Sequence, residues 1–156
     1  MKTIEPRADG AGLRICLINT TWNDFIVSRL TDGAVSTLRK HGVAEDDITL
    51  ATVPGAFEIP IAAKTAAETG RYDAVVALGC VIRGATPHFD HVAGEAAKGI
   101  SRVGLDTGVP VVFGILTTET IDQAIERAGT KLGNKGSEAA SVAVETVRLI
   151  QAIKEG

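Results

Sequence analysis

Two kinds of apolar pattern alternate along this chain. Short, mostly apolar runs, each the length of a single strand, cover residues 13–19, 48–53, 74–82 and 109–116. Around them, apolar residues recur at helical spacing over residues 26–38, 57–69, 92–103, 121–130 and 137–154. The run at 74–82 has no polar alternation, which is typical of a strand covered on both faces. The predicted order is therefore β-α-β-α-β-α-β-α-α.

Strands that alternate with helices predict a parallel sheet with helices on both of its faces. We expect an α/β fold, a three-layer α/β/α sandwich with a four-stranded parallel sheet. A chain of 156 residues fits one domain. Residues 1–12 are polar and contain Pro6, so we expect an N-terminal arm there and a single α/β domain over 13–156.

Composition narrows the class of protein. The formal net charge is −3, which is unlike the basic surface of a nucleic-acid-binding protein. The first residues lack the apolar core of a signal peptide, and no apolar run approaches the ~20 residues of a membrane span. Cys16 and Cys80 lie in apolar runs, which predicts buried free thiols. We expect a cytoplasmic protein that binds neither nucleic acid nor a membrane.

Polar and aromatic residues follow the predicted strands at their carboxyl ends. Because these ends meet at one rim of a parallel sheet, we expect the residues there to line one pocket. They are Trp22 and Asn23 after the first strand, Ala56, Phe57 and Glu58 after the second, Arg83 to His88 after the third, and Thr117 and Thr118 after the fourth, with Phe113 inside that strand.

The turn after the third strand carries the most chemistry. Residues 78–92 read LGCVIRGATPHFDHV, in which Arg83 and Gly84 end the apolar run and a helical pattern begins after His88. The first N–H groups of a helix lack partners within it, and the helix dipole favours an anion at that end. A histidine moves protons near neutral pH, because its reference pKa is about 6.5. This turn therefore predicts anion binding together with acid–base chemistry.

Each candidate also has a purely structural interpretation. Trp22 could cap the edge of the sheet instead of stacking on a flat ligand ring. Glu58 could stabilise a helix dipole instead of accepting hydrogen bonds from sugar-like hydroxyls. His88 could be an ordinary residue at the start of a helix. The residue types alone leave these alternatives open.

The remaining charged candidates have equally plain alternatives. Arg127 could be a solvated surface charge. Lys131 and Lys135 flank a glycine-rich loop and could either serve solubility or attract an anionic substrate, with Lys135 the better candidate for a contact. His91 follows His88 at a spacing that suggests a metal pair, but no third ligand completes a metal site. We therefore expect no metal.

Three stretches of the chain carry a family resemblance. They are GCVIRGATPHFDHV at 79–92, VPGAFEIP at 53–60 and GTKLGNKG at 129–136. In this order they closely resemble lumazine synthase, the enzyme that makes 6,7-dimethyl-8-ribityllumazine, the penultimate intermediate of riboflavin synthesis. The resemblance runs from about residue 13 to the C-terminus. It implies the same three-layer fold, flavodoxin-like in outline.

The resemblance implies roles for individual residues. It makes His88 the catalytic group for proton transfer and leaves Lys131 and His91 without a role. Most relatives have another aromatic residue, commonly Phe, where this chain has Trp22, and the wider indole predicts a stronger grip on a flavin. The residues implied for the ribitylaminouracil substrate are Trp22, Asn23, Ala56, Phe57, Glu58, Cys80, Val81, Ile82, Phe113 and Lys135. Those implied for the phosphate of the second substrate are Gly84, Ala85, Thr86 and Arg127.

The implied reaction joins 5-amino-6-(D-ribitylamino)uracil to 3,4-dihydroxy-2-butanone 4-phosphate. The uracil's amine attacks the ketone to form an imine, phosphate leaves, the ring closes and water is lost. This chemistry needs no cofactor, and holding the reactants together contributes ~7–11 kcal/mol. Two other interpretations stay open: a flavin-binding family member, and a shell-forming member with little turnover. A dinucleotide-dependent dehydrogenase is disfavoured, because no G-x-G-x-x-G follows the first strand.

The resemblance also implies an assembly. It predicts a homopentamer with active sites at subunit boundaries, riboflavin or FMN as a further ligand, and riboflavin synthase as a partner. The loop at 129–136 carries no insertion, which in this family goes with a hollow 60-subunit shell. Pro6 removes an N–H that could pair with a neighbour's sheet, so we expect pentamers but leave open whether they close into the larger shell. The apolar face that we expect to pack on another subunit comprises Val92, Ala96, Ile100 and Val103.

Overall fold

Four parallel strands form the central sheet in the order β2-β1-β3-β4. The computed structural model describes residues 1–156. The strands are β1 (Ile15–Thr20), β2 (Ile48–Val53), β3 (Ala74–Ile82) and β4 (Val111–Thr118). Strand β3 is buried along almost its whole length, because helices cover both faces of the sheet. This burial confirms the prediction from its unbroken apolar run.

The helices lie in two layers. They are α1 (Asp24–Lys40), α2 (Ile59–Glu68), α3 (His88–Thr107), α4 (Ile121–Glu126) and α5 (Lys135–Glu155), with 3₁₀ turns at Glu45–Asp47 and Ala56–Glu58. Helices α1, α4 and α5 contribute to the core on one face of the sheet, and α2 and α3 to the core on the other. The predicted three-layer α/β/α sandwich is confirmed. No helix combines the length and apolar composition needed to cross a bilayer.

Several boundaries differ from the prediction, and the differences at β4 and α4 bear on the site. Strand β4 begins after Pro110 and runs to Thr118, two residues beyond the predicted end. Helix α4 ends at Glu126, and the short strand β5 (Ala128–Thr130) then pairs antiparallel with β6 (Gly133–Asn134). Gly129 has a φ of 102°, which a right-handed helix cannot contain. The residues predicted as the end of this helix therefore form part of a hairpin.

The apolar face of α3 lies inside the subunit. Ala96, Ile100 and Val103 are buried in the core that α2 and α3 share with the sheet. Our expectation that this face packs on another subunit is wrong. Helical spacing identifies the apolar face of a helix but not its partner, and here the sheet of the same chain covers it.

The N-terminal arm makes specific contacts although it contains no helix or strand. Arg148 on α5 donates from Nε to the carbonyl oxygen of Asp9 and from Nη2 to that of Ala11, both at 2.6 Å. The Nδ1 of His41 lies 3.0 Å from the carbonyl oxygen of Ala8. The end of the arm is thus attached to α1 and α5. The division into an arm and one domain stays a prediction.

Both cysteines are buried free thiols, as predicted. Burial raises the pKa of each thiol to about 11, although Arg71 partly opposes this for Cys16. The thiolate is therefore disfavoured at neutral pH, which argues against a nucleophilic role for either residue.

Candidate active site

A pocket of about 460 Å³ opens at the carboxyl ends of β1 and β3. The chain leaves β1 toward β2 on one side and returns to β3 on the other, so this is the point where the direction of strand addition changes. Open α/β sheets bind ligands at such points. We call this the Trp22 pocket; it is lined by Thr20, Trp22, Asn23, Gly55, Ala56, Phe57, Glu58, Cys80, Val81, Ile82, His88, His91 and Val92.

Trp22 and Phe57 supply the aromatic surface of this pocket. Trp22 is 64% exposed and Phe57 is 56% exposed, although both are large apolar side chains. The benzene ring of the indole lies against Gly55. The backbone N–H of Trp22 donates to the carbonyl oxygen of Pro54 at 3.0 Å. The loop after β2 therefore supports the indole, while most of its surface stays open to a ligand. This exposure favours stacking over the role of a sheet-edge cap.

Asn23 connects the loop after β1 to β3. It is the only non-glycine residue in the left-handed region, with φ 60° and ψ 37°. Its Nδ2 donates to the carbonyl oxygen of Cys80 at 2.8 Å. Asn23 directly precedes α1, but its side chain makes no cap hydrogen bond to that helix. The amide instead fixes the position of the loop that carries Trp22.

Glu58 has a structural contact as well as a place in the pocket. Its Oε2 accepts a hydrogen bond from the Gly55 N–H at 3.1 Å, which closes the turn Ala56–Glu58. This bond orients the carboxylate at the start of α2. The other oxygen, Oε1, is left for hydroxyl groups of a ligand.

Two histidines from α3 line the Trp22 pocket. His88 is the first residue of the helix, and His91 follows one turn later on the same side. The family resemblance gives His91 no role, yet its spacing from His88 places both residues on one helical face. The chain contains no group of three His, Cys, Asp or Glu side chains arranged to hold a metal ion.

A second depression, of about 530 Å³, lies beside the edge strand β4. We call it the Arg127 pocket; it is lined by Phe113, Ile115, Leu116, Thr117, Thr118, Arg127, Leu132, Lys135 and Glu138. Our expectation that all four strand ends line one pocket is therefore wrong for β4. Strand β4 is at the edge of the sheet, and its exposed residues Phe113 and Thr117 line the Arg127 pocket.

The Arg127 pocket contains two cationic side chains. The Nη1 of Arg127 donates to the carbonyl oxygen of Gln123 at 3.0 Å and lies 3.6 Å from a carboxylate oxygen of Glu126. The Nζ of Lys135 lies 3.4 Å from Glu138. The Lys135 N–H donates to the Arg127 carbonyl oxygen at 2.9 Å, so the backbone holds the two residues side by side. This arrangement suits a phosphate group.

Comparison with known proteins gives the family. The chain matches the family described as 6,7-dimethyl-8-ribityllumazine synthase over residues 12–151. It belongs to this family. The chain is 58% identical to a 6,7-dimethyl-8-ribityllumazine synthase of Nitratidesulfovibrio vulgaris strain Miyazaki F over 151 residues, which is 97% of each chain. It is 53% identical over the same length and coverage to enzymes of that name from strains DP4 and Hildenborough.

Membership in the lumazine synthase family confirms the resemblance of the three sequence stretches. Nine of the residues predicted to bind or convert substrate line the Trp22 pocket, and three line the Arg127 pocket. The loop Gly84, Ala85 and Thr86 is exposed between β3 and α3 and lines neither pocket. The predicted site is therefore divided over two surfaces of one chain.

Proposed function

We propose that this chain is a 6,7-dimethyl-8-ribityllumazine synthase of riboflavin biosynthesis. It condenses 5-amino-6-(D-ribitylamino)uracil with 3,4-dihydroxy-2-butanone 4-phosphate and releases phosphate and water. Identity above 50% over 97% of the chain to enzymes of this name supports the assignment. The observation that carries it is the Trp22 pocket, where aromatic rings, a carboxylate and two histidines converge.

In this proposal the uracil substrate occupies the Trp22 pocket. Its ring stacks on the exposed indole of Trp22 beside Phe57, and its ribityl hydroxyls donate to Oε1 of Glu58. His88 then lies where it can take a proton from the attacking amine and return it during loss of water. The uracil substrate carries the attacking amine, so the imine nitrogen comes from the substrate and the reaction needs no Schiff-base lysine.

The phosphate of the second substrate requires a cation from outside the loop Gly84–Thr86. Arg83, which precedes this loop, is paired with the carboxylates of Asp90 and Glu119. Arg127 is the cation that the family resemblance implies, and it lines the other pocket. These facts support an active site that forms when the Arg127 pocket of one subunit closes over the Trp22 pocket of the next.

Such a contact joins two different surfaces of identical chains. Contacts of this kind produce a closed ring when the rotation that relates neighbouring subunits adds up to a full turn. The exposed Phe57, Phe113 and Leu132 support the proposal, because the contact would bury them. We propose a homopentamer, the ring that the family resemblance implies. The 60-subunit shell and an association with riboflavin synthase remain predictions of that resemblance.

A second ligand follows from the exposed indole. Riboflavin and FMN share the ribityl chain of the substrate and present a wider ring to Trp22. We propose that they occupy the same pocket and compete with the ribitylaminouracil. This proposal concerns binding and does not replace the synthase reaction.

The test of the function is turnover of both purified substrates, followed by the absorbance of the lumazine and by release of inorganic phosphate. The test of the shared site mixes two variants that are refolded together. The double variant Glu58→Ala, His88→Ala keeps an intact Arg127 pocket, and the variant Arg127→Ala keeps an intact Trp22 pocket. In a ring mixed at random, about one quarter of the boundaries join two intact pockets. Activity above the sum of the separate variants is the expected result. If mixing restores nothing while wild type refolds to full activity, the shared site is wrong.

A further inference from the structure

Three elements of the fold meet at the side chain of Arg83. Its Nη2 and Nη1 donate to the two carboxylate oxygens of Asp90 at 3.1 and 3.3 Å. Its Nε donates to Glu119 at 2.6 Å. The guanidinium carbon lies 4.4 Å from the ring centre of Phe89. Arg83 therefore joins the end of β3 to the first turn of α3 and to the residue that follows β4.

The loop between these anchor points has little else to hold it. Gly84, Ala85 and Thr86 are exposed, and a Cβ added at Gly84 would meet no atom within 4 Å. Phe89, by contrast, packs against the core that α2 and α3 share. The bond from the Arg83 N–H to the Thr118 carbonyl oxygen, at 2.9 Å, continues the pairing of β3 with β4 by one residue. The loop thus spans two fixed ends that Arg83 connects.

The geometry around Arg83 differs from an ordinary surface ion pair. A single exposed pair contributes little, because solvent screens it and the side chains lose freedom. Here a planar guanidinium makes paired bonds to one carboxylate, a third bond to another and a contact with an aromatic face. The hydrogen bonds to Asp90 and Glu119 raise the pKa of Arg83 above its ordinary value, so it stays charged. Three of its five N–H donors, one on each nitrogen, are bonded to carboxylates of the same chain.

We propose that Arg83 is a positioning residue. It holds the loop Gly84–Thr86 and the first turn of α3, so that the loop meets the phosphate of the second substrate and His88 meets the reacting atoms in the right geometry. It acts through Asp90 and Glu119 and is not itself a phosphate ligand. The inference rests on the proposed function for its effect on turnover. Its effect on the loop is independent of that function.

The decisive comparison separates positioning from charge. Glu119→Ala removes an anchor and leaves Arg83 with one fewer anion beside it. If Arg83 positions the loop, this variant lowers kcat and raises the KM for the phosphate substrate. If Arg83 instead binds phosphate directly, the freed charge lowers that KM, and the proposal is overturned.

Two substitutions of Arg83 itself complete the test. Arg83→Met removes the charge, whereas Arg83→Lys keeps it but cannot make paired bonds to a carboxylate. A displacement of reacting groups by about 1 Å can cost about 10² in rate, so we expect both variants to lose about 10-fold to 10²-fold in kcat. Full activity in Arg83→Lys would show that charge alone matters and would contradict positioning.

Arg102→Met is the matched control, because Arg102 forms an exposed ion pair with Asp106 on the same helix and lines neither pocket. We expect its kcat to stay within about twofold of wild type. Amide hydrogen exchange of residues 84–91, measured without substrate, should speed up in Arg83→Met and Glu119→Ala but not in Arg102→Met. Unchanged exchange would refute the positioning role even if the enzyme were inactive. A wild type without turnover would refute only the proposed function.

Discussion

The indole of Trp22 and the backbone of Gly55 are in such close contact that a Cβ at Gly55 would come within 2.5 Å of the Cε3 of Trp22. Real Cβ atoms do not approach other atoms so closely, so only glycine allows this position of the ring. The Gly55 N–H also donates to Glu58. One glycine therefore sets the place of the aromatic surface and the carboxylate of the Trp22 pocket.

We predict that Gly55→Ala weakens binding in the Trp22 pocket without unfolding the protein. The added methyl group forces the exposed indole outward, since its ring has solvent on the other side. We expect about a 10-fold loss of riboflavin affinity, comparable to the ~0.5–1.5 kcal/mol of an aromatic pair. A titration followed by tryptophan emission measures it.

Gly94→Ala is the control for that substitution. Gly94 lies within α3, and a Cβ there would meet nothing within 4 Å. Alanine also has the higher helix propensity, so this variant should bind riboflavin as wild type does. Equal affinity in Gly55→Ala and wild type would show that the indole does not need its present position.

We predict that riboflavin or FMN quenches the emission of Trp22. Trp22 is the only tryptophan, so the signal has a single source. Trp22→Ala should lose most of the flavin affinity but keep measurable synthase activity, because proton transfer and phosphate binding rest on His88 and Arg127. Emission that does not change at saturating flavin would place the ligand elsewhere and return Trp22 to the role of a cap.

We predict that His88→Ala lowers turnover while the melting temperature stays near that of wild type. The side chain is exposed at the start of α3, so its loss leaves no cavity. General acid–base help is worth about 10²–10⁴-fold, and we expect the low end or less, because the reaction proceeds in part once the substrates meet. Steady-state kinetics with both substrates measure the loss. An unchanged rate would transfer the proton role to another group, with His91 the nearest candidate by helical spacing.

We predict that alkaline pH destabilises the protein partly through its buried thiols. Burial raises the pKa of Cys16 from 9.0 to about 11. The unfolded chain therefore releases this proton at lower pH than the folded chain, and the free energy of unfolding falls as pH rises from about 9 to about 11. Denaturant titrations at fixed protein concentration across this range measure the slope. Cys16→Ala should show a smaller fall, and an identical slope in both proteins would contradict the linkage.

We predict that the protein sediments as a pentamer or a larger assembly built from pentamers. The reason is the division of the candidate site between two surfaces, each of which lacks groups that the other has. Sedimentation velocity over a range of concentrations, with activity measured on the same fractions, tests the assembly. A stable monomer with full activity would refute it.

The sequence by itself determined the layers of the fold and one wall of the site. Strands β2 and β3 begin and end where predicted, because Pro54 cannot continue the ladder of β2 and the apolar run of β3 stops at Ile82. The order of strands and helices predicts where parallel strand ends meet, and this placed Trp22, Glu58 and His88 at one rim. Both inferences use local pattern and chain order alone.

Only the tertiary structure decided which surfaces meet. The apolar spacing of α3 is the same whether its partner is the sheet below or another subunit, and packing places Ile100 in the core of its own chain. The position of β4 at the sheet edge separates Arg127 from His88, which no local pattern expresses. The contacts of Gly55 with Trp22 and of Arg83 with Glu119 join residues far apart in the chain. They depend on distances that exist only after the loops have been brought together by the packed layers.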